Sequence, residues 1–102
     1  MIFRKTEICG LTSQMRRAAV SIPSNIAEGK GRSTDRDRTH FFFHARGSLL
    51  ELETQILIAE RLAYLDPAPS QQLLEASMHL GRMLNALIQS LKAPEVVGDT
   101  AP

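Results

Sequence analysis

The chain has 102 residues, of which 43% are hydrophobic, with no Trp and one Tyr. That bounds it to a single domain whose thin core is built from Leu, Ile, Ala, Met and Phe, and excludes wholesale disorder. The single cysteine, Cys9, excludes an internal disulfide and a thiolate zinc site and fits a reducing, cytoplasmic compartment; no apolar run approaches the ~20 residues of a membrane span, and the start has no signal-peptide core.

Three helical segments and no strand are expected. The first spans residues 11–28, where Met15, Ala18, Ala19, Ile22 and Ile26 recur at helical spacing. Arg17, Ser21, Ser24 and Glu28 form its polar stripe, Thr12 or Ser13 is its expected cap, and Gly29 its expected left-handed stop. Pro23 stands in the middle of it. Its ring crowds the carbonyl of Ala19 and removes one backbone bond, at a cost of ~3 kcal/mol in a helix interior. A kink there is expected, with another partner for the Ala19 carbonyl.

The second helix is expected over residues 34–64, opened by Thr34 with Asp37 in capping-box spacing. Phe41, Ala45, Leu49, Leu52, Ile56, Ala59 and Ala63 form one continuous seam, and Gly47 is either a weak point or a site of close packing. The sequence LDPAPS is a turn, and Ser70 is the expected cap of a third helix over residues 70–92. Leu73, Leu80, Leu84, Leu87 and Leu91 form its seam. Residues 1–92 then make one helical domain, and 93–102 a flexible tail.

Charge is unevenly distributed. Nine Lys or Arg stand against four Asp or Glu up to Arg46, and three against seven beyond it. Such polarity steers anions to one end or pairs copies head to tail. The basic cluster comprises Arg16, Arg17, Lys30, Arg32, Arg36, Arg38 and Arg46. Repeated Lys and Arg on one face is what phosphate binding requires. Against that reading, Asp35 and Asp37 balance the loop, and no stacking aromatic is interleaved.

The remaining polar residues point to structure rather than catalysis. Glu28, Glu51 and Glu53 have neither nucleophile nor metal ligand beside them. Ser21, Pro23, Asn25 and Glu28 on the first helix are expected to meet Arg46, Ser48 and Glu51 on the second in an internal polar network. His40 and His44 lie one turn apart, but Phe41, Phe42 and Phe43 separate them, so the run reads as an aromatic cluster with polar edges and no metal is called. His79 is expected to face solvent. Nothing marks Cys9 as an activated thiol. No catalytic residue, cofactor or small-molecule substrate is identified.

Residues 16–29 read RRAAVSIPSNIAEG and residues 45–53 read ARGSLLELE. With both segments, the chain resembles the small bacterial four-helix bundle proteins encoded in intervening sequences of 23S ribosomal RNA genes, once labelled a ribosomal protein. It is distantly similar to the accessory variability proteins of diversity-generating retroelements. The resemblance covers about residues 10–91. It implies an all-α antiparallel up-down bundle and a ring-like homopentamer, with nucleic-acid binding as the usual suggestion. Members begin with a helix ahead of the GLTSQ segment. Only ten residues precede Leu11 here, so either the start lies upstream or this member lacks that helix, and in this chain three helices and an open apolar groove are expected. The reading is therefore a non-enzymatic oligomeric scaffold binding RNA or DNA through a repeated basic loop, with no membrane partner. The alternative is a protein-interaction module that takes a partner helix in the groove or on the face of Phe41–Phe43.

Overall fold

In a computed structural model, residues 5–92 are described, and the tail expected at 93–102 lies outside them. They form three α-helices, α1 (Lys5–Lys30), α2 (Asp35–Arg61) and α3 (Pro67–Ser90), with no strand among the described residues. The chain is all-α, as its three apolar periodicities require.

Helix α1 starts earlier than the sequence suggested. Thr12 and Ser13 are interior residues rather than caps, and the helix runs unbroken through Pro23. Gly29 is not a left-handed stop: no glycine among the described residues has positive φ. It lies buried in the last turn, where an added Cβ would stand 2.7 Å from Cε1 of Phe42. The absent side chain lets Phe42 approach the α1 backbone.

Thr34 caps α2 as expected, its Oγ1 accepting the Asp37 N–H at 3.1 Å. At the other end Ala63 adopts φ 63°. The Ala63 N–H donates to the Glu60 carbonyl and the Tyr64 N–H to the Ala59 carbonyl. This pair of bonds is a Schellman motif, formed with alanine where glycine is usual. It ends the helix at Arg61, ahead of the expected Tyr64. Helix α3 also starts early. Asp66 is its N-cap residue and Pro67 its first, where a missing N–H costs nothing. Ser70 is thus an interior residue, fully buried, and not the cap.

Cross-helix pairs fix the topology. Ser21 meets Ser48 and Gly29 approaches Phe42, so α1 and α2 are antiparallel. Arg46 meets Asn85, Glu53 meets Ser77 and Glu60 meets Ser70, so α2 and α3 are antiparallel too. The centre of the core is Ile22, Ala45, Leu49 and Leu84, with Ile26, Leu52 and Leu80 packed on it. Helix α2 serves both neighbours, whereas no Cα of α1 lies within 8 Å of one in α3.

Candidate nucleic-acid interface and apolar groove

The gap between α1 and α3 is a groove floored by α2. Ala19, Ile22 and Pro23 form one wall, Leu73, Ala76 and Leu80 the other, and Leu49, Leu52 and Ile56 the floor, around a cavity of ≈ 270 Å³. A second hollow of ≈ 260 Å³ adjoins it at Leu80 and is lined by Ile26, Met83 and Leu87. On α3 the wall residues Leu73, Ala76, Leu80, Met83 and Leu87 alternate steps of three and four. That is the spacing of a helix-packing seam. The expected seams of α1 and α3 therefore extend beyond the contact each helix makes with α2. Leu73 and Met83 remain 45% and 56% exposed because they face the groove. Pro23 and Ala19 share this side, and both residues are exposed.

The polar residues expected to form one network separate into several groups. Ser21 Oγ and Ser48 Oγ are 2.7 Å apart, and Asn25 Nδ2 donates to both the carbonyl and the hydroxyl of Ser21. Those three residues are brought together. Glu28 is not with them: it lies on the exposed face and pairs with Arg32 at 2.7 Å. Arg46 reaches the other way, donating to Asn85 on α3 at 2.8 Å while its guanidinium stacks over Phe43. Glu51 shares a polar recess with Gln14, Arg17, Ser21 and Ser48, with no ion pair to Arg17 among the described residues. Pro23 belongs to the apolar groove. Side-chain length explains the difference: Ser and Asn bond across a close α1–α2 contact, whereas Glu28 and Arg46 reach partners beyond it.

A second polar set was missed in the sequence. Arg46, Glu53 and Glu60 are spaced by seven along α2 and bond Asn85, Ser77 and Ser70 respectively. The signal was present as a heptad of long polar residues flanking the α2 seam. Gln55 was also missed. It is buried, and its Oε1 has no hydrogen-bond partner among the described residues.

The basic cluster divides in two. Arg16 and Arg17 lie in the middle of α1, at least 13 residues or ~20 Å of helix from Lys30. Lys30, Arg32, Arg36 and Arg38 surround the α1–α2 turn. Arg32 stacks over Phe41 at 4.7 Å as well as pairing with Glu28, and Arg38 pairs with Asp35 at 2.6 Å. Lys30 and Arg36 are exposed and join no ion pair among the described residues. Arg32 does bring a cation onto an aromatic ring, a juxtaposition the sequence reading did not foresee. Tyr64, beyond the C-terminal end of α2, has its phenol pushed above the usual tyrosine range by desolvation and then by the charge of Glu7.

Long, specific motifs in α1 and α2 are matched by a family model. The model of the 23S rRNA-intervening sequence protein covers residues 1–86. The chain belongs to that family. No curated protein matches it. This family chain has no helix long and apolar enough to cross a membrane among its described residues.

Proposed function

We propose that this family member is a non-enzymatic, cytoplasmic scaffold that assembles with copies of itself and binds nucleic acid, RNA in preference to DNA, through the basic turn between α1 and α2. The observation that carries this reading is the exposed pair Lys30 and Arg36, free of ion pairs among the described residues and flanked by Arg32 and Arg38. Contacts of this kind neutralise phosphates and read no bases, so binding is sequence-tolerant and falls steeply with salt. Each chain offers few such contacts. Assembly into a ring, of five chains by the family resemblance, repeats them and adds their weak affinities. The distant resemblance to accessory variability proteins of retroelements supports the same partner class. Arg16 and Arg17 lie apart from the turn and contribute a second, weaker patch.

Filter binding of RNA at low salt tests the proposal. Intact protein should retain RNA. Replacing Arg32, Arg36 and Arg38 with Glu should abolish retention while leaving the helical circular dichroism unchanged. Absence of retention by the assembled wild-type protein would contradict it.

A second reading is favoured by the groove itself. Its walls carry helix-packing spacing, and its apolar surface suits a partner helix. Under that reading, charge reversal at the turn leaves activity intact, and Leu73→Glu or Met83→Glu removes it.

A further inference from the structure

We propose that His40 and His44 form a two-imidazole chelate for a borderline divalent cation, zinc or copper(II), on the exposed face of α2. Within the aromatic run the His40 ring stands edge-on to both Phe41 and His44. Phe42 turns into the core and is 1% exposed, whereas both histidines are exposed. Four residues apart on one helix, they stand one above the other, the spacing by which helical histidine pairs hold zinc. Their ring centroids are 4.5 Å apart and their planes cross at 78°. Two imidazoles on one tetrahedral ion, with metal–nitrogen bonds of ~2 Å, have centroids ~5 Å apart. The two rings are close enough for one ion to reach both, once side-chain rotation turns a nitrogen of each toward it out of the present edge-to-face contact.

No group of three or more His, Cys, Asp or Glu side chains converges on a metal position among the described residues. Water accordingly completes the shell. Such a site selects imidazole-loving cations over magnesium and calcium, which require oxygen ligands, and it takes copper(II) more tightly than zinc. Because the chelate spans one helical turn, occupancy also stabilises the first half of α2. The site adjoins the basic turn, since the His40 ring also meets Phe41, over which Arg32 stacks, but it uses neither Lys30 nor the arginines, and its fate does not decide the proposed function.

Titration calorimetry of the full chain with zinc chloride, copper sulfate and magnesium chloride tests the inference, with thermal melting as a second readout. The expected result is one zinc or copper ion per chain, a raised Tm, and no heat from magnesium. His40→Ala and His44→Ala should each weaken copper binding at least tenfold. His79→Ala, which removes the isolated histidine of α3, should leave it unchanged. No binding at millimolar zinc or copper would overturn the proposal. Equal affinity in the wild type and in either single variant would do so as well. So would one ion per two chains, which places the ion between molecules rather than on one helix.

Discussion

Gly29 and Ala63 are two backbone positions where the side chain present, or absent, decides stability in opposite directions. At Gly29 an added Cβ would meet Phe42 Cε1 at 2.7 Å and Phe41 Cβ at 3.1 Å. Overpacking of this kind costs ~1–3 kcal/mol, against ~1 kcal/mol gained from alanine's helix propensity. Gly29→Ala should therefore destabilise the chain by roughly 1 kcal/mol in urea unfolding. Ala63 lies at φ 63°, where a Cβ is disfavoured by ~1–2 kcal/mol. Ala63→Gly should raise stability by about 1 kcal/mol in the same assay, since it relieves that strain while keeping both Schellman bonds. Gly47 is different again. It is exposed, and a Cβ there would meet nothing within 4 Å, so the close-packing role considered for it does not hold within one chain. Gly47→Ala should add about 1 kcal/mol to the unassembled protein.

At the scale of elements, the three helices were legible because Leu, Ile and Ala recur at helical spacing. Their ends were less legible. A residue such as Ser70 reads as a cap from its neighbours Pro67 and Pro69, yet its hydroxyl is committed to Glu60 at 2.7 Å. No local pattern reveals that partner ten residues back. The same holds for the polar sites. Ser21, Asn25 and Ser48 were foreseeable because small polar groups inside apolar helices must bond each other. Arg46 was misassigned to them because its partner, Asn85, lies on a third helix. The α2–α3 polar bonds now explain how an antiparallel pair with interchangeable leucines keeps one register. Ser77→Ala would leave the buried side of Glu53 without its donor. It should cost ~1–3 kcal/mol, measurable by thermal or urea unfolding. Pro23 makes the converse case. Pro23→Ala restores one backbone donor to α1 and should stabilise the isolated chain while altering the groove wall that Pro23 helps to form.

At the scale of the whole molecule, α2 packs on both neighbours while α1 and α3 stand apart, and the chain measures only 16 Å along its shortest axis. The core is correspondingly thin. Leu73 and Met83 are exposed along the groove, and Leu50 and Leu57 along α2, although all four are large and apolar. Exposed apolar residues along two helices support the proposed self-association. The basic turn lies at one end of the α1–α2 pair, so the proposed assembly through the long apolar surfaces would leave Arg32, Arg36 and Arg38 outside the contact, with Lys30 at its border beside the hollow at Leu80. Self-association is thus the claim on which multivalent phosphate binding depends. Light scattering on the full chain at micromolar concentration tests it most directly. The predicted result is a mass of several chains for the wild type, falling to that of one chain for Leu73→Glu with Met83→Glu, with helical content retained. A wild-type protein that is fully helical and monomeric would contradict it.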